Sequence, residues 1–259
     1  MNAKADIVAE IVPLRALRDN YIWALHEGNA CVVVDPGEAG PVLQHLAAHG
    51  LTLTAILITH RHPDHVGGVA GIVAQHPVPV FGPASIPCVT HPVAEGDTPS
   101  VPGLGRRFGI WFIPGHTEEH IAWLSDGLLF CGDTLFSAGC GRLLGGTAAQ
   151  LHASLMRLRT LPPQTQVYCA HEYTLSNLRF AEAVEPDNPE RTAYQAHCEA
   201  LRAEDRPTLP STIATECAIN PFLRCDVEAV ARAVEAGTGA PMAGSEAVFT
   251  ALRQWKDRF

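Results

Sequence analysis

The sequence predicts an α/β amino-terminal part followed by a smaller helical part, with the change near residue 170. Three observations predict it. Short apolar, strand-like runs alternate with helix-spaced patterns up to that point. Beyond it the patterns turn helical. Several of the strand-like runs end on a histidine or an aspartate.

Taken in order, residues 31–35 (Cys-Val-Val-Val-Asp) form the first clear strand-like run. Residues 40–49 carry apolar side chains at helical spacing. Residues 53–58 are an apolar run that reads as a buried strand, and 66–75 are helix-spaced again. Further strand-like runs at 108–113, 128–131 and 167–170 follow. After them, 176–184, 190–203, 226–235 and 246–257 read as helices, punctuated as loops by Pro207, Pro210 and the stretch 237–244.

The chain has 259 residues, 47% hydrophobic and 17% charged, an ordinary globular balance with ample core. A net charge of −9 argues against a nucleic-acid surface, which needs clustered Lys and Arg. No apolar run approaches the roughly 20 residues needed to cross a bilayer. Asp6 and Glu10, with no basic region leading into a long apolar stretch, predict no signal peptide. The eight cysteines form no CxxC pair and several fall in strand-like runs. They predict reduced, buried thiols and a cytoplasmic protein rather than a disulfide framework.

The densest chemistry lies at Thr59-His60-Arg61-His62-Pro63-Asp64-His65, directly after the buried run at 53–58. A lone histidine is ordinarily a satisfied core or surface imidazole. Three imidazoles and a carboxylate within six residues are instead ligands for a divalent metal of intermediate hardness. His60 and His62, two apart in an extended segment, point to the same side. Asp64 and His65 lie at a turn that starts a helix and are expected to face away from that pair. Four such groups exceed what one ion takes easily, which points to two metals side by side. The pattern recurs in reduced form where 108–113 leads to His116, 128–131 to Asp133 and 167–170 to His171. Strands of one sheet carrying ligands at their carboxyl ends would converge on a shared crevice.

With His116, Asp133 and His171 at those positions, this segment resembles the metallo-β-lactamase superfamily. Asp19-Asn20-Tyr21-Ile22-Trp23 looks like the opening strand of glyoxalase II, the hydroxyacylglutathione hydrolases. Gly139-Cys140-Gly141-Arg142, His171-Glu172-Tyr173-Thr174, Asn220-Pro221-Phe222-Leu223-Arg224 and Arg253-Gln254-Trp255-Lys256-Asp257 are similar to its later blocks, so the resemblance spans nearly the whole chain. It implies an α/β (α+β) metallo-β-lactamase-like four-layer αβ/βα sandwich with a small C-terminal all-helical domain. Residues 1–172 would be catalytic and 173–259 would be the helical substrate-binding domain.

The resemblance further implies two divalent metal ions per chain, zinc first and iron or manganese as alternatives. His60, His62 and His116 would hold one ion, and Asp64, His65 and His171 the other, with Asp133 bridging. Asp133 and Asp64 would be catalytic through the hydroxide these ions hold. His120 and Asp35 are read as supports of the ligands. Arg142, Tyr173, Arg253 and Lys256 would surround glutathione, although spacing alone makes Arg253 and Lys256 a solvated basic helix end. Leu144 stands where relatives carry an aromatic, which implies one glutathione contact fewer. Gly139 and Gly141 predict a backbone turn against substrate around Cys140, and no nucleophilic role for its thiol. His26, His45, His49, His76, His91, His152 and His197 are read as ordinary residues.

The reaction implied is hydrolysis of an S-(2-hydroxyacyl)glutathione, S-lactoylglutathione, to glutathione and D-lactate, the second step of methylglyoxal detoxification. The expected partner is that small molecule alone, with no nucleic acid or membrane, and the chain acts as a monomer. Three other readings stand beside it. One is a single-iron glutathione persulfide dioxygenase, against which the long helical tail counts. Another is a metal-dependent hydrolase of a different ester or thioester. The last is a macromolecule-binding or nuclease-like member, against which the acidic balance counts.

Overall fold

The computed structural model describes residues 10–259. Asp6, on which the signal-peptide expectation partly rests, lies outside the described residues. The chain falls into two compact units: one takes in the chain up to Phe112 together with Ile121–Ser125, the other Ile113–His120 with Asp126–Phe259.

The first unit contains strands β1 (Glu10–Ala16), β2 (Asn20–Glu27) and β3 (Ala30–Val34), helix α1 (Ala39–His49) and strand β4 (Thr52–Leu57). Short helices α2 (Pro63–Val66) and α3 (Val69–Val73) follow, then β5 (Val80–Pro83), β6 (His91–Val93), β7 (Gly109–Phe112) and β8 (Ile121–Ser125). The first six strands form one sheet in sequence order, antiparallel from β1 to β3 and parallel from β3 to β6. Pro13 sits within β1, a position tolerated at a sheet edge because proline has no N–H to donate. Pro92 in β6 marks the opposite edge for the same reason. Alternate residues of the inner strands, Ile22 and Ala24, Cys31 and Val33, Ile56 and Ile58, share a buried cluster with Val42 and Leu46 of α1 and Val69 and Ile72 of α3.

Of the helix expected over 66–75 only Val69–Val73 forms, as α3, because α2 ends at Val66. The backbone breaks at Gly67–Gly68, where the Gly68 N–H leaves the ladder and donates to the Pro36 carbonyl at 2.9 Å. A Cβ on Gly68 would lie 2.4 Å from the Glu38 carbonyl carbon, so only glycine allows this close approach.

The second unit contains β9 (Leu128–Gly132), β10 (Leu135–Phe136), β11 (Gly139–Cys140), α4 (Ala148–Leu158) and β12 (Gln166–Cys169). It continues with α5 (Thr174–Val184), α6 (Pro189–Ala203), β13 (Ser211–Thr212), α7 (Ile213–Ile219), a 3-10 turn at Pro221–Leu223, α8 (Glu228–Thr238) and α9 (Ser245–Arg258). β12 runs parallel to β9 and antiparallel to β13, while β10 and β11 form a two-stranded hairpin. β9 and β12 belong to a different sheet from β4, so the expectation of one ligand-bearing sheet is corrected. All eight cysteines are free and six are buried, as the missing CxxC pairs predict. Among the described residues no helix is long and apolar enough to cross a membrane.

Candidate metal centre

In the first unit the ligand-bearing groups come from the carboxyl ends of adjacent parallel strands. Asp35 directly follows β3, and β4 leads through Ile58 into Thr59 and His60. Asp35 adopts the left-handed region (φ 53°), which a short polar side chain tolerates. Its Oδ1 accepts the Thr59 N–H at 2.8 Å, and its Oδ2 accepts the Thr59 hydroxyl at 2.7 Å. Because that hydroxyl hydrogen is committed, Thr59 Oγ1 accepts from His60 Nδ1 at 3.0 Å. Asp35 Oδ2 also accepts from His65 Nδ1 at 3.0 Å. In the neutral rings both Nδ1 atoms therefore carry the hydrogen, and both Nε2 lone pairs are left for a cation.

Those lone pairs have partners at informative distances. His60 Nε2 lies 3.0 Å from His62 Nδ1, so the two are on one side as expected. His65 Nε2 lies 3.4 Å from Asp64 Oδ2. The expectation that His65 faces away from the first pair is corrected: its ring sits 4.0 Å from that of His60. Pro63 starts a helical turn, which swings His65 back beneath the strand end. Asn20 Nδ2 donates to Asp64 Oδ2 at 3.0 Å and fixes that carboxylate.

In the second unit Asp133 follows β9 and His171 follows its parallel neighbour β12. Asp133 Oδ2 is 3.4 Å from His116 Nε2, and its Oδ1 is 3.3 Å from His171 Nε2. One carboxylate thus addresses two imidazoles with different oxygens. His116 Nδ1 donates to the Arg142 carbonyl at 2.8 Å, which again turns Nε2 toward Asp133. His120 supports from behind, where its Nε2 accepts the Asp133 N–H at 3.2 Å. A Cβ on Gly141 would lie 2.0 Å from the Asp133 carbonyl oxygen, so the turn there packs closely on the backbone that carries Asp133.

These donors fit a metal. Four ligands roughly 2.0–2.1 Å from a tetrahedral ion are separated by roughly 3.3–3.4 Å. The pairs above, at 3.0 to 3.4 Å, fall at or just under that spacing. An unprotonated imidazole nitrogen facing a carboxylate oxygen is repulsive unless a proton or a metal cation lies between them. Burial deepens the need, since His60, His65, His116, Asp133 and His171 are all buried.

The remaining candidates spread across the second unit. The Tyr173 ring stacks on His171 at 4.6 Å, 6° from parallel, so it orients that imidazole whatever else it contacts. Arg253 is 3% exposed, and its Nη1 donates to the carbonyls of Cys140 (3.1 Å) and Gly141 (3.4 Å). Lys256 Nζ lies 3.3 Å from the Ser176 carbonyl oxygen and 5.0 Å from the Phe180 ring centroid. Arg142 is exposed, and Leu144 is 53% exposed. Cys140 is buried, which pushes its thiol up to about 11 and leaves it no nucleophile.

Sequence reasoning missed three kinds of support. Thr59 and Asn20 stood inside segments already quoted, but only the fold reveals their partners. Around the β10–β11 hairpin, Asn220 Nδ2 donates to the carbonyls of Phe136 and Gly139, and buried Glu216 accepts the Ala138 N–H at 2.8 Å. Asn177 Nδ2 donates to the Ser137 carbonyl at 3.0 Å.

Residues 16–171 match the model of the metallo-beta-lactamase superfamily, and residues 172–259 match that of the hydroxyacylglutathione hydrolase C-terminus. The chain is 49% identical over 251 residues to the hydroxyacylglutathione hydrolase of Nitrosomonas europaea, covering 96% of each. It is 52% identical to that of Cupriavidus taiwanensis, covering 96% of this chain and 99% of the relative. Among solved structures, ETHE1 from Myxococcus xanthus aligns with a TM-score of 0.64 at 25% identity, over 94% of this chain and 98% of that one. TTHA1623, solved in a di-iron-bound form, aligns with a TM-score of 0.59 at 27% identity, over 83% and 100% respectively. Matched along both halves and at about half identity over nearly its full length, the chain belongs to the hydroxyacylglutathione hydrolase family of the metallo-β-lactamase superfamily.

Proposed function

We propose that the chain hydrolyses S-(2-hydroxyacyl)glutathione, S-lactoylglutathione in the first instance, to glutathione and a 2-hydroxy acid. The observation that carries the reading is the full-length match to relatives of that name. Residues 1–172 form the catalytic part and 173–259 the substrate-binding part. His60, His62 and His116 hold one divalent ion, Asp64, His65 and His171 a second, and Asp133 bridges; zinc suits this imidazole and carboxylate set. Bound there, such ions would lower the pKa of water from about 15.7 toward about 7 and polarise a carbonyl oxygen.

The chain's own groups prepare and position. Asp35, through Thr59 and directly, holds the protons of His60 and His65 on Nδ1. The Arg142 carbonyl does the same for His116. The leaving thiolate, whose conjugate acid has a pKa of about 8.5, departs without a dedicated general acid. Arg142, Tyr173, Arg253 and Lys256 receive the glutathione portion, whose two carboxylates need local positive charge on an acidic protein. The enzyme works as a monomer in the cytoplasm, without nucleic-acid or membrane partners.

Burial and, next, the charge of Arg253 bring the Lys256 ammonium down to about 8. It is charged below that value and neutral above it. KM for the glutathione thioester is therefore expected to rise roughly two- to fivefold as pH passes from 7 to 9. Lys256→Met should raise KM at pH 7 and flatten this profile, with metal content unchanged. A wild-type pH dependence that survives in the variant removes Lys256 from the binding surface.

The test of the function is the initial rate of S-lactoylglutathione hydrolysis, followed as free thiol, with and without a chelator. Fast, chelator-sensitive release supports both the reaction and the metal. No release from metal-loaded protein overturns the assignment and favours oxidation of glutathione persulfide or another ester as substrate.

A further inference from the structure

We infer that His26, His45 and His49, with the Glu10 carboxylate, form a separate surface site for one divalent ion of the later first-row metals, zinc included. It lies within the first unit and shares no residue with the catalytic ligands.

Three elements bring the four side chains together. His45 and His49 are one turn apart on α1 and so occupy one face of that helix. Glu10 of β1 pairs directly with His26 of β2, which puts both side chains on one face of the sheet. His26 Nε2 and His45 Nε2 then meet at 2.8 Å across the helix–sheet junction. The His45 ring centroid lies 4.9 Å from that of His26 and 4.4 Å from that of His49.

Two donors at right angles around an octahedral or square-planar ion roughly 2.0–2.1 Å away are separated by roughly 2.8–3.0 Å, the spacing of the observed pair, and the roughly 3.3–3.4 Å of tetrahedral zinc needs the two rings to part by about half an ångström. Without an ion, two neutral rings at this distance share a single hydrogen, one donating and one accepting. His26 and His45 are half-buried, and that burial pushes both imidazoles below their ordinary pKa. They are therefore neutral at pH 7 and their lone pairs are available. Glu10 opposes that shift and supplies the negative charge that a divalent ion needs. Glu10 and His49 are exposed, so their side chains have room to turn toward an ion. An ion held by all four would tie β1 and β2 to α1.

The test is equilibrium dialysis of the metal-loaded enzyme against micromolar zinc, comparing wild type with the double variant His45→Gln, His49→Gln. Wild type is expected to bind one zinc per chain more than the variant. It should also show a zinc-dependent rise in Tm that the variant lacks, while both hydrolyse the thioester equally. Equal zinc stoichiometry in the two proteins overturns the site. Because the readout is a difference between proteins sharing the same catalytic ligands, it stands whether or not the thioesterase assignment does. His26→Gln alone, on a residue from a different element, should reproduce the loss; if it binds zinc as wild type does, the three-histidine site is wrong.

Discussion

Asp133→Ala is expected to lose thioester hydrolysis on the order of 10³-fold or more, beyond the roughly 10–100-fold that follows loss of a group that only orients a ligand. The carboxylate addresses His116 and His171 with separate oxygens, at 3.4 and 3.3 Å. Its removal takes a shared anion from both imidazoles at once. Asp133→Asn, which keeps the shape and loses the charge, is expected to be nearly as inactive. Metal content measured beside kcat decides the matter. Full occupancy of both ions in Asp133→Ala would sink the bridging assignment, whatever the rate.

The largest stability effect is expected at Asn220, which is fully buried. Its amide donates to Phe136 O at 3.1 Å, Gly139 O at 2.9 Å and Glu216 Oε2 at 3.0 Å, and its own oxygen accepts the Phe222 N–H at 3.1 Å. Truncation to alanine strands buried partners at about 1–3 kcal/mol each, so Asn220→Ala should cost about 3–6 kcal/mol in urea unfolding. A change under about 1 kcal/mol would show that the hairpin is held by other means. Glu216 behaves oppositely. Burial raises its pKa above the usual carboxylate range, so the folded state favours its protonated form. The stability this gives is present at low pH and lost as pH rises through the folded-state value. Glu216→Gln is therefore expected to be tolerated and to flatten that loss. A loss as steep as in the wild type would place its cause elsewhere.

How much of this could be read from the chain depended on density and length of signal. The seven proposed ligands were legible because His60, His62, Asp64 and His65 crowd one segment and the others end apolar runs. Strands β3, β4, β7, β9 and β12 and helices α1, α5, α6, α8 and α9 are legible as apolar runs or helical spacing, whereas β1 and β2, the longest strands, are not. Helix α4 went unread although Thr147 and Gln150 form a capping box and Leu151, Leu155 and Leu158 line one buried face. Strands β10, β11 and β13, of two residues each, are too short to show alternation. Through their side chains Asp35, Thr59, Glu216 and Asn220 reach partners 24 to 84 positions away in sequence, apart from the neighbouring Thr59–His60, Glu216–Asn220 and Asn220–Phe222 contacts, and no local pattern encodes such pairings.

The arrangement around Asp35 sets a rule for how this site can evolve. One carboxylate fixes the protonation of two different histidines, His65 directly and His60 through a threonine hydroxyl. Any substitution that weakens or strengthens that carboxylate changes the basicity of both rings together. Selection for a different metal cannot adjust one ring through this anchor and spare the other, so the two must drift as a linked pair.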